Sequence, residues 1–269
     1  MGTAHSGRLR SRLENSAWYG YTLLMILFFM LPLLSLVVAS FNNARIFALP
    51  YEPTLEWYEL ALTSSSVQNA ILTTFKISIP VVILSTIIGT SAALAYTRYT
   101  FPGQELFKLV ALLPIFFPLV LLGLGMSMWT NIIGLGHGII PAIVGETVWI
   151  SPIVMFVVSI TALGVDPNIE NAARDLGADN VTLYKDILIP LTKDGIVAGA
   201  IFAFVLSWNN YYIASYLKGS EITITTWIHG RMTQGFTPTV PALTATIFYV
   251  SLLLLIGAFL LELRSIRNE

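Results

Sequence analysis

Six long apolar runs constrain this chain more than any other feature of its sequence. They cover residues 17–41, 67–95, 106–133, 139–163, 195–217 and 241–262. Each is long enough to cross the hydrocarbon core of a bilayer, which takes about 20 helical residues. A backbone in lipid must satisfy its own hydrogen bonds, and runs this continuous do not alternate as barrel strands do. The sequence therefore predicts an all-α integral membrane protein with six transmembrane helices in a single domain, residues 1–269.

The distribution of positive charge predicts the orientation of these helices. If the N-terminus lies inside, ten of the 14 Lys and Arg residues fall on the cytoplasmic side. The outer connections then hold Arg45, Lys218 and Arg231. Because positive charge accumulates on the cytoplasmic side, both termini are predicted to be cytoplasmic. The same orientation places the charged segment 164–194 in the cytoplasm.

That charged segment has its own helical pattern. Its centre, Ile169–Pro190, reads IENAARDLGADNVTLYKDILIP. Asp166 and Pro167 predict a helix start, because Asp caps a helix N-terminus and Pro fits the first turn. Gly177 suits the turn after this helix, and a second short helix is predicted over residues 181–187. The pattern favours a helix–turn–helix at the membrane surface, with an ordinary solvated loop as the alternative.

Composition excludes several classes of function. Only 11% of the residues are charged, the net charge is −1 and cysteine is absent. No basic patch with interleaved aromatic residues suggests a nucleic-acid partner. The sequence has no GxxxxGK[ST], GxSxG or HExxH motif, which would indicate nucleotide binding, a nucleophilic serine or a zinc site. The chain is therefore not expected to be an enzyme or to bind a metal.

Two ionisable residues lie inside the predicted spans. Lys76 is about nine residues into the second span and Glu146 about seven residues into the fourth, so both lie roughly 10–14 Å deep at 1.5 Å per residue. A charge near the middle of a bilayer costs at least about 2.5 kcal/mol and usually pairs or faces a cavity. We expect Lys76 and Glu146 to face the protein interior, where they form a structural ion pair or contact a charged solute.

The end of the fifth span combines aromatic rings with amides. Trp208, Tyr211 and Tyr212 would share one helix face, and Asn209 and Asn210 lie between them. Such a set suits an organic solute through stacking and hydrogen bonds. The alternative is an aromatic belt at the membrane interface. With Lys76 and Glu146, these five residues are the candidates for a solute pathway.

The spacing of small residues in the charged segment resembles a known signature. Ala172 and Ala173 are followed after three residues by Gly177, and after nine more by the sequence ILIP, which spans Ile187 to Pro190. This resembles the EAA loop of permeases from binding-protein-dependent ABC importers, which forms a coupling helix docked on a cytoplasmic ATPase subunit. The family's Glu falls on Asn171, a shift of about 100° around a helix from Glu170. The resemblance implies the coupling residues Glu170, Asn171, Ala172, Ala173, Gly177, Ile187 and Pro190.

Further stretches look like permeases of the spermidine/putrescine type. They are Ser40-Phe41-Asn42, Tyr96-Thr97-Arg98-Tyr99, Ser207-Trp208-Asn209-Asn210, Gly235-Phe236-Thr237-Pro238 and Ala242-Leu243-Thr244-Ala245-Thr246. The resemblance implies a type I importer core in a bacterial inner membrane. It also implies a second permease chain of different sequence, two ATPase subunits that hold ATP and Mg, and an extracytoplasmic solute-binding protein. No cofactor is expected in this chain.

The expected solute is a small organic molecule. Polyamine permeases of this group have acidic residues where Asn209 and Asn210 stand, so a polyamine, an opine and an amino acid derivative all remain open. A secondary transporter with Glu146 as its proton site is the alternative function, although no inverted repeats are visible. A scaffold protein would not account for Lys76, Glu146 and the two asparagines.

Overall fold

The computed structural model describes residues 3–43, 51–235, 237–250 and 252–253, and its regular structure is helical. The N-terminal half contains α1 (Thr3–Ser40), α2 (Glu56–Thr63), α3 (Ser65–Arg98), α4 (Gln104–Phe116), α5 (Leu119–Ile132) and α6 (Ile139–Leu163). The rest contains α7 (Pro167–Asp175), α8 (Asn180–Thr182), a π-helical turn (Leu183–Leu188), α9 (Ile189–Leu191), α10 (Lys193–Trp208), α11 (Tyr212–Leu217), α12 (Ile224–Gln234) and α13 (Thr239–Val250). An isolated antiparallel bridge joins Asn42 to Pro53.

Length and apolar composition suit several of these helices to crossing a membrane. Among the described residues, the segments Trp18–Ser40, Ser65–Arg98 and Ile139–Leu163 are each long enough alone, and the number rises to at most five if each of two bent helix pairs counts as one span. The sixth predicted run, 241–262, begins in α13. Its residues 251 and 254–262 lie outside the described part of the chain.

The described residues form two compact units. The first comprises the chain up to Ser64 and from Gly230 onward. In it the hydroxyl groups of Ser40 and Tyr58 are 2.5 Å apart, and the Trp57 indole donates to the Asn42 carbonyl oxygen at 3.1 Å. These bonds tie the end of α1 to α2, the short helix that follows it. Burial raises the pKa of the Tyr58 phenol.

The second unit, Ser65–His229, is built around α3, α6 and α10. Its apolar core includes Val81 of α3, Val154 and Val158 of α6, and Ala203 of α10, all fully buried. Glycine allows α3 and α6 to approach closely, because a Cβ atom at Gly89 would lie 2.7 Å from the Val154 Cβ. These three helices therefore form a rigid framework that positions the residues described below.

The run predicted as one helix over residues 106–133 is in fact two helices. Helices α4 and α5 meet at an angle of 106° around Phe117 and Pro118. Pro118 has no backbone N–H, and its ring disfavours helical geometry at the preceding residue. Phe117 is accordingly extended, with φ −79° and ψ 137°. The predicted span is therefore divided at this point by the conformational restriction that Pro118 imposes.

Candidate functional site

The segment between α6 and α10 folds as two short helical pieces around a turn. Helix α7 starts at Pro167, and the Asp166 carboxylate accepts a hydrogen bond from the Asn168 N–H at 2.9 Å. Gly177 has φ +90°, a conformation that glycine adopts without strain. The helix start and the turn predicted from the sequence are both confirmed.

The second piece runs from Asn180 to Leu191, further than the predicted residues 181–187. Asp179 caps it by accepting from the Thr182 N–H at 2.8 Å, and this backbone contact lowers the pKa of the Asp179 carboxyl group. Leu183 and Leu188 are buried together with Ala173 of α7. This small core makes the two pieces one structural unit, which we call the coupling loop (residues 164–194).

The coupling loop divides its predicted docking residues between an inner and an outer face. Ala173 is buried, and Ile187 is half-buried against the same small core. Asn171, Ala172, Gly177 and Pro190 are exposed. At the tip, Leu176 is 89% exposed and Val181 69% exposed. Apolar side chains presented in this way favour contact with another protein.

Arg98 fastens the coupling loop to the helical framework. It is the last residue of α3, and its Nη2 atom donates to the carbonyl oxygen of Ala162 at 2.6 Å and of Val165 at 3.4 Å, at the end of α6. Its Nε atom lies 3.0 Å from Oε1 of Glu170 in α7, and the two side chains are only 9% and 14% exposed. Arg98 therefore contacts α6 and the coupling loop at once.

This contact explains why the carboxylate stands at Glu170. The Glu170 side chain faces the end of α3, whereas Asn171 is exposed. A carboxylate at residue 171 would point away from Arg98, because adjacent residues are separated by about 100° around a helix.

A second contact joins the end of α3 to the coupling loop, since the rings of Tyr99 and Tyr184 stack with centroids 6.4 Å apart. Burial raises the pKa of the Tyr184 phenol.

Glu146 lies at the centre of the second unit and is 1% exposed. Its Oε2 atom accepts a hydrogen bond from the Ser207 hydroxyl at 2.5 Å, and the Ser207 oxygen lies 3.0 Å from that of Ser78. The three side chains come from α6, α10 and α3. The buried carboxyl group thus links the three framework helices through hydroxyl groups.

The pathway candidates near Trp208 do not share one helix face, contrary to the sequence-based expectation. Helix α10 ends at Trp208, and α11 begins at Tyr212. The Asn210 side-chain oxygen accepts from the Ile213 N–H at 3.0 Å, so this amide starts a new helix rather than continuing the old one. Asn210 is buried, and Asn209 is exposed.

The aromatic rings in this region consequently face different neighbours. The Trp208 ring packs on Phe75 with centroids 4.9 Å apart, and on Phe204 of its own helix. The Tyr211 ring stacks on His229 at 4.3 Å, and Tyr212 meets Tyr211 edge to face. The two ends of the predicted aromatic stripe therefore lie in separate clusters.

The structure places Lys76 and Glu146 in different surroundings. Lys76 is exposed and lines a polar cavity of about 510 Å³ that also includes Glu221. Glu146 instead lies among Ser78, Ser207 and Asn210. Arg98, Ser207 and Glu221 were not predicted from the sequence to be functional residues. Arg98 and Ser207 lie in short stretches that resemble the permease family, whereas no sequence motif points to Glu221.

Replacing Glu146 tests the role of the buried carboxyl group. Glu146→Gln keeps an acceptor for Ser207 and should fold normally, whereas Glu146→Ala leaves a cavity and removes the carboxylate acceptor of the Ser207 hydroxyl. The alanine variant is expected to lose about 2–4 kcal/mol of stability. Thermal unfolding in detergent measures this loss, with the exposed Glu105→Ala as control. If the glutamine variant also transports with unchanged affinity and rate, Glu146 does not belong to the solute pathway.

Comparison with known proteins adds to these observations. Residues 85–264 match the family described as binding-protein-dependent transport system inner membrane component. The spermidine/putrescine transport system permease protein PotC of Escherichia coli (strain K12) is 25% identical over 244 residues, which cover 90% of this chain and 92% of PotC. The putrescine transport system permease protein PotI of the same organism is 29% identical over 235 residues, covering 84% and 83% of the two chains.

A solved structure shows the same fold at lower sequence identity. It is a bacterial alginate ABC transporter in complex with an alginate pentasaccharide-bound periplasmic protein. One of its chains aligns with a TM-score of 0.67 and 16% identity, covering 94% of the present chain and 95% of its own length. The predicted fold class, a helical importer permease core, is confirmed.

Proposed function

This chain belongs to the family of binding-protein-dependent transport system inner membrane components, and from that premise we propose how it works within an ATP-driven importer. As a permease subunit it forms half of the translocation pathway. A second permease chain of different sequence forms the other half, and an extracytoplasmic binding protein delivers the solute. Two cytoplasmic ATPase subunits bind and hydrolyse ATP with Mg. Both termini of the chain lie in the cytoplasm.

The observation that carries this proposal is the construction of the coupling loop. Its outer face exposes Leu176 and Val181 to a partner, and its inner face is fastened to α3 and α6 by Arg98. A force applied at the tip therefore reaches the framework through a buried ion pair and hydrogen bonds. A protein driven by a proton or ion gradient would have no need of such a loop.

The solute is proposed as a small organic molecule. The two Escherichia coli relatives are named for spermidine and putrescine, so a polyamine is one candidate. Asn209 and Asn210 carry no charge, and the Glu146 carboxyl group, which lies near Asn210, accepts a hydrogen bond from the Ser207 hydroxyl. An opine or an amino acid derivative is therefore a candidate alongside a polyamine.

Reconstitution tests the proposal directly. The chain is co-purified with candidate ATPase and permease chains and placed in liposomes with a candidate binding protein. ATP-dependent uptake that requires the loaded binding protein is the expected result. Uptake by this chain alone, driven by a proton or ion gradient, would overturn the assignment.

Gly177→Val is expected to uncouple ATP hydrolysis from uptake. The positive φ at Gly177 costs a β-branched residue roughly 1–2 kcal/mol, and the new side chain enlarges the exposed tip of the coupling loop. We expect hydrolysis to continue while uptake falls about tenfold, a loss equivalent to about 1.4 kcal/mol. Parallel assays of phosphate release and solute uptake measure the ratio.

Gly103→Val is the matched control for this prediction. Gly103 has φ +85° and open space around it, as Gly177 does, but it lies in the turn before α4. It should suffer similar backbone strain without uncoupling. Normal coupling in Gly177→Val, or equal uncoupling in both variants, would contradict a specific role for the tip of the coupling loop.

A further inference from the structure

One face of α3 carries polar residues where a lipid-facing helix would be apolar. Ser66, Asn69, Thr73 and Lys76 follow one another at spacings of three and four residues, which places them on one side of the helix. They line the polar cavity of about 510 Å³, whose lining also includes Ser220 and Glu221. The cavity is large enough for a small organic molecule.

The wall of this cavity is held in place by hydrogen bonds between distant parts of the chain. The Trp227 indole donates to the Ser66 hydroxyl at 3.2 Å, and the Ile224 N–H donates to the Thr74 hydroxyl at 2.8 Å. The Thr73 hydroxyl lies 3.5 Å from Oε2 of Glu221. These contacts position the segment after α11 against α3, so the cavity is a built feature rather than a gap between mobile loops.

The two charges in the cavity differ in their surroundings. Glu221 has a cation beside it, because the Lys218 ammonium donates to the Glu221 backbone oxygen. Burial lowers the pKa of Lys218, and the nearby Glu221 carboxylate opposes that shift. Lys76 has no ion-pair partner within the described ranges, and its side chain is exposed to the cavity. The cavity therefore presents an uncompensated ammonium group.

An uncompensated ammonium group inside an apolar span needs either water or an anion. At a mid-membrane position it costs at least about 2.5 kcal/mol when neither is present. A diamine entering the cavity would meet this like charge, whereas a carboxylate would be attracted to it. Glu221 and the hydroxyl groups that line the same cavity offer acceptors for an amino group.

We propose that this cavity recognises a solute that carries both a carboxylate and an amino group, with the carboxylate bound by Lys76 and the amino group directed toward Glu221. This inference rests on the proposed import function and narrows the solute to the amino-acid-like class. Polyamines, which carry no carboxylate, are then disfavoured at this site despite the names of the two relatives.

The absence of cysteine makes a direct binding test possible. Leu72→Cys places the chain's one thiol in the cavity wall, and alkylation by N-ethylmaleimide in the purified transporter complex reports its accessibility. Two pairs of probes differ at one end only: 4-aminobutanoate against 1,4-diaminobutane, and 6-aminohexanoate against 1,6-diaminohexane. At least one amino acid should slow alkylation, and its matched diamine should not.

Changing the cavity charge decides whether Lys76 is responsible. Lys76→Gln should weaken protection by the amino acid about tenfold, as expected for the loss of one partly exposed charge pair. Lys76→Glu should transfer protection to the diamine. Lys185→Gln, an exposed lysine in the coupling loop, is the control for a change in net charge and should leave protection unaltered.

Several outcomes would overturn the inference. The diamines could protect the cysteine from alkylation at least as well as the amino acids do. Protection could be independent of Lys76, or no probe could protect the cysteine at all. None of these bears on ATP-driven uptake, which is measured by reconstitution without the cysteine. A transporter that imports with ATP but fails the alkylation test would retain its proposed function and lose this solute class.

Discussion

Arg98→Gln is expected to abolish most solute uptake while the assembled transporter continues to hydrolyse ATP. The substitution removes the ion pair to Glu170 and the bonds to the Ala162 and Val165 carbonyl oxygens, so the coupling loop loses its charged contact with α3 and keeps the Tyr99–Tyr184 stack there. Removing one partner of a largely buried pair costs roughly 3 kcal/mol or more. If the contact between Arg98 and Glu170 transmits the force from the ATPase, losing this free energy should lower uptake about a hundredfold.

Graded substitutions separate this effect from simple misfolding. Arg98→Lys keeps the charge but cannot reproduce the planar fork of donors, so an intermediate loss is expected. Glu170→Gln leaves the carbonyl contacts of Arg98 intact and should reduce uptake less than Arg98→Gln. Arg174→Gln is the matched control, because Arg174 is an exposed arginine of the same loop that bonds to the Asn180 side chain.

The measurements are the number of ATP molecules hydrolysed per solute imported and the melting temperature of each complex. A raised ratio in Arg98→Gln with a well-folded complex supports transmission through this residue. If Arg98→Gln and Arg174→Gln show equal ratios, the ion pair with Glu170 plays no part in coupling. If the complex of Arg98→Gln melts and hydrolysis is lost together with uptake, the contact is structural.

Gly89→Ala is expected to destabilise the protein strongly, although alanine normally favours a helix. The added Cβ atom would lie 2.7 Å from Val154 Cβ and 2.8 Å from the Met155 backbone nitrogen, distances that require α3 and α6 to separate. Overpacking of a tightly packed core costs about 1–3 kcal/mol. Because all three framework helices meet near Val154, the loss should appear as a lower melting temperature and a lower yield of folded protein.

Gly125→Ala provides the opposite result in the same chain. Gly125 lies within α5, and a Cβ atom there would meet nothing within 4 Å apart from the adjacent backbone of its own helix. Its replacement should leave stability unchanged or raise it by up to about 1 kcal/mol through helix propensity. Equal melting temperatures for the two variants would mean that α3 and α6 do not approach as closely at Gly89 as the structure shows.

Local features of the fold could be predicted because their causes lie within a few residues. The Asp166–Pro167 helix start and the Gly177 turn depend on capping and on permitted backbone angles. The break at Phe117–Pro118 has an equally local cause, but a long apolar run masked it. The end of α10 at Trp208 was missed because Asn210 acts through a hydrogen bond to Ile213 that periodicity does not reveal.

The candidate site was predicted less completely than the fold. The resemblance located the coupling loop, but the sequence left the consequence of the shift from Asn171 to Glu170 undetermined. Arg98 lies 64 residues from Ala162, and nothing in either stretch indicates that they meet. Similarly, Glu146 and Ser207 are 61 residues apart, so the environment of the carboxyl group could not be read from its own helix.

By itself, the sequence determined that this is a helical membrane protein of the importer permease family with a helix–turn–helix coupling loop. Apolar run length, capping residues and residue spacing are properties of short segments, and they act wherever the segment lies. The tertiary structure decided what surrounds each ionisable side chain: Arg98 contacts Glu170, Ser207 contacts Glu146, and Lys76 lines a polar cavity together with Glu221. Those pairings depend on how α3, α6 and α10 pack, and packing is a property of the whole chain.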